Sequence, residues 1–344
     1  DFGVVNLLGY QTLTDTIYRV WYDASAFDPA AALQLASVLV GLALLMVVVE
    51  RLMRGRARYE QALSAGDAVV PRRLHGWRAA AACAVPTLLL AVVFALPVLQ
   101  LVAWSLETLA TDRLSDDLGR AVVSTTLLSV AAAAVAVCTA TLVSYGQRVA
   151  PSRTGRAAAR LATVGYAVPG AVIAVAIYVP LVWLDRRLIA VADTWFDASI
   201  GLLFTGTVLG LIGAYVVRFH AQAYFAVESR MGRVAPNLDD AARALGADRS
   251  RVLLDVHLPL LWPGVLTGAL LVVVEVVKEL PATALLRPLG SDTLAIVAWE
   301  ATKDSRYDAA ALPALLIVLV GLVPVVMLIR LSRREASSAE MLVG

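Results

Sequence analysis

Glu275, Lys278 and Glu279 stand at the end of an apolar run that begins at Leu260. Residues three and four apart share one helix face, so the three side chains are expected together, with Glu275 paired to Lys278. A charge at the middle of a membrane span costs roughly 2.5–3.5 kcal/mol on insertion scales, so such groups face protein or water. Two chemistries suit them: a polar lining for a solute pathway, or a proton relay between carboxylates. Lys278 and Glu279 also fit a plainer role, a helix end whose long side chains reach the interface. Pro169-Gly170, within Tyr166-Ala-Val-Pro-Gly-Ala171, marks a bend in another apolar run. There a missing N–H and a missing side chain let a second helix come close, either to line the same path or only to pack.

A second group suits mechanical work rather than bond-making. In Asn237-Leu-Asp-Asp-Ala-Ala-Arg-Ala-Leu-Gly246, residues Leu238, Ala241, Ala242 and Leu245 fall at i, i+3, i+4 and i+7, one face of a short helix. Asn237 is expected to cap its first turn, with Asp240 in the reciprocal position, and Gly246 to end it in the left-handed conformation. Asp248 can cap a second short helix, and Pro259 marks the start of the next apolar run. The small face of Ala241 and Ala242 lets another protein pack closely.

The elements that carry these groups are membrane spans. Hydrophobic residues make up 60% of the 344, well above the share in a soluble domain. A span needs about 20 mainly apolar residues. Seven runs qualify, near Ala30–Val49, Ala79–Val102, Ala121–Tyr145, Leu161–Leu184, Ile200–Val217, Leu260–Leu280 and Ala309–Ile329, so an all-α polytopic membrane protein is expected. With the connections placed on alternating sides, 20 Lys and Arg residues fall on the side of the Asp240 loop and the C-terminus, against 8 on the other. The positive-inside rule puts that loop and the C-terminus in the cytoplasm. Trp104 follows a span as an interfacial anchor. Ala, Ser and Thr in Ala121–Tyr145, and Gly201, Gly206, Gly210 and Gly213, suit close helix packing.

The polar loop between two spans resembles the "EAA" signature of ABC importer permeases, the MetI-like family. That signature is an acid, two alanines, three residues, glycine, nine residues, an aliphatic, one residue and Leu-Pro. Here it reads Asp240-Ala241-Ala242, Gly246, Val256 and Leu258-Pro259, with Asp in place of Glu and Val in place of Ile. The resemblance implies that this element, Leu245 included, is the coupling helix that docks on a cytoplasmic ATPase.

At an offset of 280 residues, Ser25, Asp28, Gly41 and their apolar neighbours match Ser305, Asp308 and Gly321, with Phe27 opposite Tyr307. The chain is therefore expected to divide into 1–51, the tail of a first permease repeat; 52–78, a basic linker; 79–334, a second repeat of six spans with its coupling loop at 235–259; and 335–344, a cytoplasmic tail. On this reading the natural chain extends upstream; the alternative is a complete seven-span subunit with one extra helix. The linker, with Arg51, Arg54, Arg56, Arg58, Arg72, Arg73 and Arg78, reads as an orientation signal in contact with lipid rather than as a nucleic-acid site. Cys83 and Cys138 lie inside spans without metal-ligand spacing and read as small buried apolar residues.

The stretch from Lys278 to Ala295, with Trp299-Glu300 and Tyr307 to Pro313, is similar to the second half of fused ferric-iron importer permeases. That resemblance implies a dimer of ATPase subunits carrying ATP and Mg, an extracytoplasmic solute-binding protein, and a bacterial inner-membrane location. Ferric iron is the implied solute, with thiamine or another small solute as the alternative. His75, His220 and His257 are scattered, and no metal site, catalytic residue or cofactor is expected on this chain. A membrane enzyme would need a Ser/His/Asp set, metal spacing or a phosphate-cradling glycine loop, none of which the sequence offers. The rival of another class is a proton-coupled secondary transporter using Glu275, Lys278 and Glu279.

Overall fold

The computed structural model describes residues 2–22, 28–54, 74–111, 117–235 and 237–341. Among them the regular structure is entirely helical. Three helices, α1 (Phe2–Leu7), α2 (Leu13–Tyr22) and α3 (Pro29–Arg54), come first. Next α4 (Trp77–Leu90) passes through a π turn, Ala91–Ala95, into α5 (Leu96–Ala110) without a break. The widened turn sits beside Pro97, whose missing N–H leaves a carbonyl of the preceding turn without its helical partner. Then come α6 (Leu118–Val149), α7 (Arg153–Ala162), a 3-10 turn at Val164–Ala167, α8 (Gly170–Phe196) and α9 (Val208–Met231). The expected coupling region forms α10 (Asn237–Ala244) and α11 (Arg249–Arg251), which runs through a π turn, Val252–His257, into α12 (Leu258–Val277). The chain ends in α13 (Pro281–Leu286), α14 (Leu294–Lys303) and α15 (Tyr307–Met341).

The centre is built by α6, α9 and α12, each packed on the other two. Small side chains make this possible, because lipid gives no hydrophobic drive between helices and close backbone approach must hold them instead. Ala132, Ala136 and Ala140 of α6 and Ala214 and Ala223 of α9 are buried there. Gly268 of α12 lies against α9 so tightly that a Cβ on it would stand 3.1 Å from the Cα of Ala223. On the other flank α15 packs against α5, α12 and α14, and α8 takes α3 and α13.

Among the described residues five helical stretches are long and apolar enough to cross a membrane: Pro29–Glu50, Trp77–Ala110, Leu118–Val149, Arg249–Val277 and Tyr307–Arg330. The other two expected spans take a different form. The run Leu161–Leu184 is not one bent helix, because α7 ends at Ala162 and α8 starts afresh at Gly170, with Pro169 as its N-cap. Asp185, Arg186 and Arg187 interrupt the apolar character of α8. In Ile200–Val217 the first residues are not helical. They are drawn in by Asp185, whose buried carboxylate accepts the backbone N–H groups of Leu203, Phe204 and Thr205 at 3.0, 3.0 and 2.7 Å. The helix there, α9, starts at Val208 and carries Arg218, His220 and Gln222 in its middle, so Arg218 belongs to a helix interior and not to the cytoplasmic loop.

Other expectations are corrected too. Cys83 and Cys138 are exposed on helix surfaces, not buried in the core. The expected tail at 335–344 continues α15 as far as Met341. Most of the basic linker, including Arg56, Arg58, Arg72 and Arg73, lies outside the described residues, as do Ser25 and Phe27. The helix pattern echoes the sequence offset: α1 and α2 span 6 and 10 residues before the long α3, and α13 and α14 span 6 and 10 before the long α15.

Candidate coupling and translocation sites

The coupling region folds as a short amphipathic helix tied to a longer one. Gly246 takes φ +86°, a left-handed conformation in which a side chain is strained. Asp248 caps α11, its carboxylate accepting the backbone N–H of Arg251 at 2.9 Å. Leu258 and Pro259 follow the π turn Val252–His257 inside the continuous helical stretch Arg249–Val277, so the N–H missing at Pro259 falls within a helix, beside the widened turn. Asn237 is the first residue of α10 rather than its cap, a shift of one position.

One face of this element is bare. Asp240, Ala241 and Gly246 are exposed, Ala242, Val256 and Leu258 are half-buried, and Pro259 is exposed. Leu238 is 40% and Leu245 90% exposed, although both are large and apolar. The opposite face is anchored by a residue that sequence reasoning passed over. Asp239 is buried, and its two carboxylate oxygens accept from different helices: Oδ2 from Arg148 Nε of α6 and Oδ1 from His257 Nε2, each at 2.7 Å. Arg148 also donates from Nη1 to the carbonyls of Met231 and Val234 at 3.2 and 2.9 Å, and from Nη2 to that of Ala235 at 3.1 Å. A cation there satisfies orphan carbonyls where α9 ends. Tyr145 stacks edge-on to His257, with ring centroids 5.3 Å apart, and its hydroxyl donates to the Arg249 carbonyl at 2.7 Å. Burial opposes ionisation of Asp239, but the hydrogen bonds and charges of Arg148 and His257 outweigh it and hold the carboxyl below the usual range. One signal was present: Arg148 is the single Lys or Arg between Arg120 and Arg153.

The second site is a cavity of about 470 Å³ beside the break before α8. Pro169, Gly170, Glu275, Lys278 and Glu279 all line it, together with Tyr166, Arg218 and Thr14 of α2. Lys278 Nζ is 3.2 Å from Glu275 Oε1, the pair expected from their spacing. Glu279 behaves otherwise. The helix ends at Val277, so Glu279 does not share its face; it is 5% exposed and does not reach an interface. Its Oε2 lies 3.3 Å from Arg218 Nε, and its Oε1 accepts the N–H of Ala282 at 3.0 Å. Arg218 was not foreseen as its partner, and its buried Nη1 has no hydrogen-bond partner among the described residues. The glycine at 170 is what admits this pair, because a Cβ there would collide with both the Arg218 guanidinium and the Glu279 carboxylate.

Helix α2 borders the cavity through Thr14 and is held to its neighbours by its aromatic residues. Tyr18 meets Trp299 of α14 edge-on at 5.2 Å, and Trp21 meets Tyr178 of α8 at 4.6 Å. The hydroxyl of Tyr22 donates to the carbonyl of Ala284 in α13. Rings set edge to face in this way add attraction beyond their area. Among the described residues no three His, Cys, Asp or Glu side chains are grouped to hold a metal ion.

Comparison with known proteins agrees with this picture. The family model described as "binding-protein-dependent transport system inner membrane component" matches residues 136–337. The Fe(3+)-transport system permease protein FbpB 2 of Haemophilus influenzae is 27% identical over 334 residues, covering 95% of this chain and 62% of that protein. The chain thus spans less than two thirds of that relative's length. A putative 2-aminoethylphosphonate transport system permease protein, PhnV of Salmonella typhimurium, is 26% identical over 133 residues, 39% of this chain and 50% of that one. Among solved structures, a bacterial alginate ABC transporter in complex with its alginate pentasaccharide-bound periplasmic protein superposes with a TM-score of 0.57 at 16% identity, covering 75% of this chain and 94% of that one. That likeness speaks for the fold.

Proposed function

From the premise that the chain belongs to the family of binding-protein-dependent transport system inner membrane components, we propose that it is the permease of an ATP-driven importer, with hydrolysis carried out by a separate cytoplasmic ATPase dimer. The observation that carries this reading is the bare apolar face of α10. Ala241 is exposed on α10 and Leu245, in the turn just past its end, is 90% exposed, while the other face of the helix is fastened through Asp239. Large exposed apolar side chains on a polar element mark an interaction site. The Lys and Arg bias supports a cytoplasmic position for this face and for the C-terminus. An extracytoplasmic binding protein delivers the solute to the opposite side, where α2 borders the cavity. In this reading α1–α3 are the counterpart of α13–α15 from a first repeat, and the cavity with its two ion pairs is part of the path.

Ferric iron is the proposed solute, supported by a relative that aligns over 95% of the chain. The match to the phosphonate permease covers 39% and supports the class of transporter rather than its cargo. The test is a mild-detergent pull-down of the tagged full-length chain. An ATPase should accompany the natural protein and be lost when Ala241 and Ala242 are both replaced by Trp. Recovery of the chain without any ATPase would contradict the reading.

A further inference from the structure

We infer that Asp239 is a positioning residue that locks the docking helix to the membrane helices, so that movement of α10 is delivered to α6, α9 and α12 together. The inference rests on the importer reading and names how the same element passes on its motion.

Asp239 is the buried residue of α10, while the neighbouring Asp240 faces outward. Its side chain is used completely. One oxygen takes Arg148 at the end of α6, and the other takes His257 where the π turn enters α12. Arg148 then carries the tie to a third helix, because its remaining nitrogens hold the carbonyls of Met231, Val234 and Ala235 at the end of α9. These are the three helices that form the packed centre. One carboxylate therefore joins the docking helix to all of them within two hydrogen bonds.

The tie is stiff because it has few alternatives. His257 is fully buried, and its Nδ1 has no hydrogen-bond partner among the described residues, so the ring is fixed by Asp239 on one side and the Tyr145 ring on another. Charge-assisted bonds at 2.7 Å hold direction as well as distance. The chain itself supplies a looser connection: after α10 it turns through Gly246, at φ +86°. A packed core responds to such a push by switching between arrangements rather than by gradual deformation.

An asparagine at 239 keeps the size but removes the charge: its Oδ1 can accept from Arg148, while its N–H₂ can meet His257 Nε2 only when the ring carries its proton on the buried, unpartnered Nδ1, so both ties lose the carboxylate that strengthens them. The test uses the full chain assembled with its ATPase, with Cys83 and Cys138 changed to Ser and a reporter cysteine at Thr14, which lines the cavity. Reaction of that cysteine with a maleimide is timed before and after trapping with MgATP and vanadate. With Asp239 in place, trapping should change the labelling rate severalfold. Asp239→Asn should still bring down the ATPase and still be trapped by vanadate, yet show little or no change at the reporter. Asp239→Glu should restore part of the response, and Asp255→Asn, an exposed acid nearby, should leave it whole. His257→Gln, which spares the Arg148 bond, should fall between.

A full response in Asp239→Asn and His257→Gln would overturn the inference. So would loss of the ATPase from Asp239→Asn with a full response in His257→Gln, which would make Asp239 a folding or docking residue. If the unaltered chain brings down no ATPase, or shows no change on trapping, the importer reading itself falls.

Discussion

Glu279 and Arg218 form the most buried ion pair of the cavity: the carboxylate side chain is 5% and the guanidinium side chain 21% exposed. Removing one partner of such a pair strands a charge, at a cost of about 3–5 kcal/mol, whereas replacing both with apolar groups is often neutral or better. Glu279→Gln and Arg218→Met should each lower the thermal midpoint of the purified chain, and the double variant should recover much of the loss. A double variant that loses the sum of the singles would show that the two side chains act independently. The same residues show what spacing can and cannot reveal. Glu275 with Lys278 was legible because both partners lie within one turn of one helix. Glu279 with Arg218 was not, because the partners are 61 positions apart, and Arg218 follows an apolar run that reads as a completed span. Asp239 was hidden for a similar reason. In sequence it looks like one of two equivalent acids, and only packing places Arg148 and His257 around it.

At the scale of elements, the coupling region was the most legible part of the molecule. Its period of apolar residues, its glycine stop and its Asp248 cap are local devices, and local devices are written in contiguous residues. What was not legible is how spans are interrupted. Pro169-Gly170 announced a bend, but a full break needs the close passage of α9, where a Cβ on Gly165 would strike the Val217 carbonyl. The eight residues from Ile200 read as membrane-spanning by composition alone. Their non-helical course is held by the buried Asp185 carboxylate, at the end of a run that looked like a different span. The stop after α10 carries its own prediction. Gly246→Val puts a β-branched side chain at φ +86°, where left-handed backbone costs roughly 1–2 kcal/mol per non-glycine residue. Coupling should weaken, read as ATP hydrolysed per solute moved, while insertion of the chain in the membrane stays normal. Unchanged stoichiometry would mean that the turn tolerates another geometry.

Across the whole molecule the proposed function needs one line of transmission. The bare face of α10 looks outward, Asp239 ties that helix to Arg148 of α6 and to His257 at the start of α12, and α9 and α12 supply Arg218 and Glu275 to the cavity. The exposed apolar surface of α4 and α5 suits lipid or the counterpart half of a permease, as in a family whose relative extends well beyond the length aligned here. All-helical architecture followed from composition, because a bilayer admits helices whose backbone bonds are satisfied internally. The number of spans was less legible, since α8 carries Asp185, Arg186 and Arg187 and α9 carries Arg218 within their lengths.

The central claim, that ATP binding and hydrolysis on a partner drive solute through this chain, is met most directly by uptake into proteoliposomes. The full-length permease would be reconstituted with its ATPase and supplied with binding protein loaded with radioactive ferric ion. Uptake should require MgATP, stop with vanadate and be indifferent to a proton ionophore. Accumulation that proceeds without ATP and collapses with the ionophore would contradict the account and place the work on Glu275, Lys278 and Glu279 instead.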